Sequence, residues 1–319
     1  MSDTALPMTE ASSRSPKVVP LPIWLDQLAA LRLSSVQVEA TFPRALRLDA
    51  PACAVLRGLL GERLRDLRCL TRAPTCGGCT EIAGCDYAAV FGAPPGQASD
   101  GTGSHPYWLQ GISADREAPA GAKLRARLVV GASVASVLPY LDVALRDALA
   151  RLGAGPILPR DARPRIEASR IGPLEFPAWT HGVRTWRIEA RSPLILRGDT
   201  AACEQACPKV PSLALLGRAG VRRLDALLRA SSTEGELPRV AFPDLRGVEV
   251  VEGELRPWTA SRFSQRQGQR YPLSGLIGSL TVRGEGMSEL GVLLQALAIT
   301  SIGKATTMGF GALAVEPLG

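Results

Sequence analysis

Histidine is scarce in this sequence: 319 residues hold only two, His105 and His181. A reaction that needs an imidazole near neutral pH has just two places to find one. Long apolar runs are missing too. No stretch of 18 or more apolar residues occurs, so no membrane span is expected. Charged residues make up 21% of the chain, too few for a disordered polyelectrolyte. Residues 1–20 are rich in Ser, Thr and Pro and have no apolar h-region, so they read as a flexible tail and not as a signal peptide. With seven cysteines and no export signal, a reducing, cytoplasmic compartment is expected. Clustered thiols there are better read as metal ligands than as disulfides.

The length suits two domains of ordinary size, and 46% apolar residues can fill their cores. A net charge of +7 leans toward a polyanionic partner. Arginine far outnumbers lysine, which suits phosphate forks and base stacking. A GC-rich genome would give the same bias.

A weak internal repeat organises the chain. In the first copy, residues 35–42 alternate as a strand and 52–67 have helical spacing. Residues 122–130 alternate again, 136–152 form a second helix, and 165–171 a last strand. The second copy runs through strand 184–190, helix 212–230, strands 248–252 and 276–282, helix 288–299 and strand 312–316. That order predicts an α+β protein with two tandem ferredoxin-like, RRM-like β-α-β-β-α-β units. The boundaries are a tail over 1–20, a first domain over 21–175 with a Cys-rich insertion at 69–85, and a second over 176–319. The Pro-rich stretch 172–177 marks the linker. The alternative is a single α+β domain with chance similarity.

Three segments carry candidate chemistry. Lys304 lies among Gly303, Thr306, Thr307, Gly309 and Gly311, where glycines would let backbone N–H groups approach a phosphate. The spacing is not that of a triphosphate-binding loop, and the bland reading is a turn between helix and strand. Arg256, Arg262, Arg266, Gln267 and Arg270 are interleaved with Trp258, Phe263 and Tyr271. Cations among aromatics suit RNA, the charges taking phosphates and the rings taking bases; the bland reading is a solvated loop face. Cys69, Cys76, Cys79 and Cys85 form C-x6-C-x2-C-x5-C around Gly77-Gly78. Four thiolates in that span could close a structural zinc site with no open catalytic position. An iron–sulfur cluster uses the same ligands, and a compact loop of free or paired thiols is the plain alternative.

Several of these segments also carry a family resemblance. Residues 262–267, then Leu273 to Gly278, then Ser301 to Gly311 occur in the order found in the C-terminal domain of CRISPR repeat-RNA-processing endoribonucleases of the RAMP superfamily. Leu56 to Gly61 and Leu64 to Cys69 resemble that family's first helix. Cys76, Cys79, Cys85, Tyr87 and the stretch His105 to Leu109 continue the pattern. The resemblance spans residue 35 to the end. It implies metal-independent cleavage of CRISPR repeat RNA, with no cofactor for catalysis. The 2′-hydroxyl attacks the adjacent phosphorus, leaving a 2′,3′-cyclic phosphate and a 5′-hydroxyl. Such chemistry needs a base, cationic stabilisation of the phosphorane-like charge and an acid for the leaving oxygen. Many relatives carry a histidine on the first helix, but residues 52–68 contain none. Ser301 stands where others carry one before the glycine loop. Lys304, His181 and Tyr271 are therefore the expected catalytic candidates, although His181 also reads as a solvated linker residue. The expected partners are repeat RNA and mature crRNA, with other CRISPR effector subunits, and no membrane. Two other readings compete with the nuclease: a non-catalytic crRNA-binding effector subunit, and a zinc-stabilised interaction module without RNA.

Overall fold

The computed structural model describes residues 18–92, 105–112, 114–153, 163–196, 213–231, 239–264 and 268–319. The chain opens with β1 (Val18–Pro20) and α1 (Leu21–Asp26). The first half follows as β2 (Leu33–Thr41), β3 (Leu46–Arg47), α2 (Ala52–Arg68), α3 (Asp86–Phe91), β4 (Tyr107–Gln110), β5 (Glu117–Ala118), β6 (Lys123–Val130), α4 (Leu138–Arg151) and β7 (Arg165–Leu174). The second half is β8 (Thr185–Leu194), α5 (Leu213–Ser231), β9 (Arg239–Ala241), β10 (Glu249–Ser264), β11 (Gln269–Arg283), α6 (Met287–Thr300) and β12 (Leu313–Leu318).

Two four-stranded sheets result, ordered β4-β6-β2-β7 and β10-β11-β8-β12. Every neighbouring pair in them is antiparallel. Counting each sheet's strands along the chain, both read second, third, first, fourth. That is the order the repeated strand–helix pattern predicts. The local causes are simple. In β2, Val36, Val38 and Ala40 are buried at alternate positions, one face to the core. In α2, Leu56, Leu60 and Leu64 recur every four residues and bury one stripe. The helix starts after Pro51, and its last turn closes with the Cys69 N–H on the Arg65 carbonyl.

Three features depart from the sequence expectation. Residues 18–20, placed in the tail, form a strand parallel to β9. Residues 21–31, placed in the first domain, contribute Leu21, Trp24, Leu25, Leu28 and Leu31 to the apolar cluster of the second half. That contact covers the outer side of α6, which is therefore buried nearly all round and lacks a polar stripe. Finally, the arginine–aromatic stretch is not a loop face but a long hairpin, β10 with β11, running well beyond the part paired to β8. Among the described residues, no helix is long and apolar enough to cross a membrane.

Candidate nucleic-acid interface

All four residues of β4 are buried, and the alternation of a strand explains why. Tyr107 and Leu109 point into the first half's apolar cluster, while Trp108 belongs to that of the second. The Trp108 indole N–H donates to the Ile299 carbonyl at 2.8 Å. The Gln110 amide donates to the carbonyls of Ala298 and Ile299 at 3.0 and 2.9 Å. From α5, Arg223 donates to the Thr300 carbonyl at 3.2 Å and lies 5.2 Å over the Trp108 ring. These carbonyls end α6 and have no partners within the helix. The first half thus supplies the C-terminal cap of a second-half helix, with a buried cation at its negative end. Burial pulls Arg223 down to about 10, so it stays charged at neutral pH.

The glycine loop continues the seam. It leaves α6 at Ser301, passes through a 3-10 turn over Thr306–Met308 and buries Phe310 in the core of the first half. Gly309, at φ +89°, has so little room that a Cβ there would lie 2.9 Å from that of Cys53 on α2. At Gly311 the Ile302 carbonyl fills the space. The expectation that these glycines offer N–H groups to a phosphate needs correcting. Gly309 donates to Thr306, Gly311 to Pro193 and the Lys304 N–H to Ile195, at 2.7–3.0 Å. Gly309 and Gly311 serve tight packing instead, Thr306 is buried, and Gly303 and Thr307 remain half-exposed.

A polar cluster gathers where α2, β4, the loop and the hairpin meet. The Arg57 guanidinium lies 5.0 Å over the Phe91 ring, which is itself 5.0 Å from Tyr107. The His105 ring lies 5.9 Å from that of Tyr107, tilted at 59° to it. Burial pushes the Tyr107 phenol up, with the Arg57 charge and the Thr307 hydroxyl opposing it. Burial, helped by the charges of Arg57 and Arg223, pulls His105 below its ordinary value. Across the hairpin, Arg262 pairs in register with Tyr271 and lies 5.7 Å from the centre of its ring. Burial lowers the Arg262 pKa first, and the like charge of Arg57 adds to it. Neither arginine has a carboxylate partner among the described residues.

The other expected residues scatter. Lys304 is exposed on the loop. His181 is exposed on the segment tied to α6 through Thr180 and Gln295. Arg256 and Arg270 are exposed on the hairpin, and Arg266 and Gln267 lie outside the described residues. Arg57, His105 and Tyr107 were missed as a group, although all three stand in segments that carry the family pattern. A groove of about 610 Å³ between the sheets was missed as well; it is lined by Lys123, Arg125, Arg127 and Arg191. Its cations are already engaged: Arg125 with Glu39 at 2.7 Å, Lys123 with Glu167 at 3.3 Å, Arg191 with Glu189 at 3.1 Å, and Arg127 with Gln37 at 2.9 Å. The four expected metal ligands share the 69–85 loop as free thiols. Among the described residues, no three such side chains stand together at metal-binding geometry.

Comparison with known proteins places the second half. Residues 188–313 match the family model of the CRISPR-associated endoribonuclease Cas6. Residues 31–175 match the model of the AF_1859 N-terminal domain. Among solved structures, a Cas6 product complex is 16% identical with a TM-score of 0.49, the match covering 89% of this chain and 100% of that one. Thermus thermophilus Cas6 is 15% identical with a TM-score of 0.43, covering 90% and 100%. A Cas6-related protein of Pyrococcus furiosus is 10% identical with a TM-score of 0.43, covering 89% and 98%. No curated protein matches the sequence.

Proposed function

We propose that the chain is two tandem ferredoxin-like domains whose seam binds CRISPR repeat RNA and cleaves it to mature crRNA. The observation that carries this reading is the pair Arg57 and Arg262. They come from different halves, the Arg57 charge adds to burial in lowering the Arg262 pKa, and neither has a carboxylate partner among the described residues. Two mutually repelling guanidiniums at a half-buried seam are relieved by an anion between them, and a phosphodiester fits that role. The similarity of residues 188–313 to the Cas6 endoribonuclease model supports RNA as the source of that anion.

In this mechanism the 2′-hydroxyl attacks the neighbouring phosphorus in line and the 5′-oxygen leaves. Arg57 and Arg262 hold the non-bridging oxygens and take up the charge that grows on them. His105 is the base: its lowered pKa keeps it neutral near pH 7, ready to take the 2′-hydroxyl proton. Tyr271, on the hairpin beside Arg262, stacks a base or protonates the leaving oxygen, and Lys304 and Thr307 contact the backbone of the RNA. His181 takes a positioning role at most, since its segment is tied to α6. No metal enters the step. Product crRNA stays bound by the hairpin arginines Arg256, Arg262 and Arg270, with Arg266 from the same stretch of sequence. The non-catalytic crRNA-binding subunit is the second reading. The exposure of Lys304 and His181 favours it.

Incubation in EDTA with labelled repeat RNA, beside a copy carrying 2′-deoxy at the cleavage position, tests the proposal. Cleavage that the single 2′-deoxy abolishes supports the nuclease. Tight binding without cleavage supports the second reading, and absence of both overturns the RNA assignment.

A further inference from the structure

The 69–85 loop is ordered the wrong way round for a segment held by apolar burial. Not one of its residues is buried. Its larger apolar side chains point outward, Leu70 at 85% exposure and Ile82 at 38%. The residues that turn partly inward are Cys69, Cys76, Cys79, Cys85 and Ala73. An exposed leucine departs from the usual gradient, and the half-buried cysteines are left as the centre of the loop. Something other than the hydrophobic effect must organise the centre of this loop.

The backbone turns tightly between the two central thiols, although the four do not yet stand at metal-binding geometry. Gly78, at φ +79°, turns the chain between Cys76 and Cys79, and the Cys79 N–H donates to the Cys76 carbonyl at 3.2 Å. The ends are pinned on both sides. Arg65 donates to the carbonyls of Ala73 and Arg72, and Arg68 pairs with Asp86 at 2.6 Å. Cys69 closes α2 and Cys85 precedes the first residue of α3. One ligand therefore sits at each helix boundary, with two on the turn between them.

We propose that Cys69, Cys76, Cys79 and Cys85 bind one structural zinc ion as a four-thiolate site, with the 76–79 turn closing onto the two helix ends. Zn²⁺ suits this set because four thiolates complete its tetrahedral coordination, leaving no position for water or substrate. Binding free energy then replaces the core that the loop lacks. The site also bears on the seam. Cys85 fixes the start of α3, and α3 carries Phe91 beneath Arg57 and against Tyr107. Gly61 of α2 leaves room for that ring, a Cβ there lying 3.2 Å from it.

The test is metal analysis of the full chain, purified without a polyhistidine tag or chelator, with thiols titrated by a mercurial and metal release read by a dye. The site predicts about one zinc per chain, released as four thiols react. Cys79→Ser should lose the metal and Cys53→Ala should keep it. If Cys79→Ser does not fold, hydrogen exchange on the wild-type chain serves instead: a strong chelator should strip protection from residues 69–92 and leave β6 and β11 unchanged. Metal-free protein with the loop thiols freely reactive, disulfides among them, or the visible absorption of an iron–sulfur cluster each overturns the zinc assignment. RNA cleavage is a separate readout: zinc without cleavage leaves this site standing, and cleavage without zinc overturns it alone.

Discussion

The two halves of the chain share a strand order but use it differently. In the first half the second and third strands are shorter, β4 covering Tyr107–Gln110 and β6 covering Lys123–Val130, and from them Trp108 and Val129 reach the second half's apolar cluster. In the second half the equivalent strands β10 and β11 run for 16 and 15 residues and carry Trp258 and Leu273 into the first half's apolar cluster. The connection after α6 does the same with Phe310, which packs 5.6 Å from Trp258. In return, residues 21–33 and Trp108 serve the core of the second half. One fold, used twice, becomes a donor and an acceptor. The seam between them is a shared core and not a loose domain contact. Groups placed along it, such as Arg57 and Arg262, are therefore held in fixed relation, as in-line positioning requires.

The severest way to break this arrangement is Phe310→Ala. Removing a buried aromatic ring costs about 3–5 kcal/mol. Because the ring joins the halves, urea unfolding followed by tryptophan fluorescence should also lose its single transition. Next comes chemistry at the seam. Arg57→Ala and Arg262→Ala should each lower single-turnover cleavage by about 10²–10³-fold, as loss of one oxyanion donor does. The double variant should fall well short of the product, since the pair acts on one phosphate. A smaller effect follows from Gly309→Ala, destabilising by more than about 1 kcal/mol in a thermal melt because φ is positive and Cys53 occupies the space.

The smallest effect is a pH dependence. The folded His105 pKa lies below its ordinary value of 6.5. As pH falls through the ordinary value, the unfolded chain takes the proton first. The wild-type protein should thus lose stability below about pH 6.5 and be level above it. His105→Gln should flatten that slope in denaturation curves taken between pH 5 and 8.

Most of the fold was legible because its signals are local. The spacing of Leu56, Leu60 and Leu64, the alternation in β2 and the order of elements all survive in sequence, and most boundaries moved by a few residues, although β10 runs on to Ser264 and β11 begins at Gln269. The hairpin was half legible: strand signals marked 248–252 and 276–282, but Arg256 to Tyr271 read as a polar face because its Trp258 packs on the other half. The seam itself is a long-range property. In β4, Tyr-Trp-Leu reads as one apolar run, and nothing local assigns Trp108 to a different core from its neighbours. Arg57 looks like a solvated residue on an amphipathic helix until Phe91 and the hairpin are brought beside it. The glycine loop advertised a phosphate cradle, yet the N–H groups of Gly309, Lys304 and Gly311 go to Thr306, Ile195 and Pro193. Composition shows that glycines permit close approach, not what approaches.

The most direct test of a shared seam is photocrosslinking of repeat RNA with a single reactive base at the cleavage position, followed by peptide mapping. The account predicts adducts from both halves, on α2 or β4 and on the hairpin or glycine loop. Adducts confined to one half, or found only along Lys123 to Arg127 in the groove between the sheets, would contradict it.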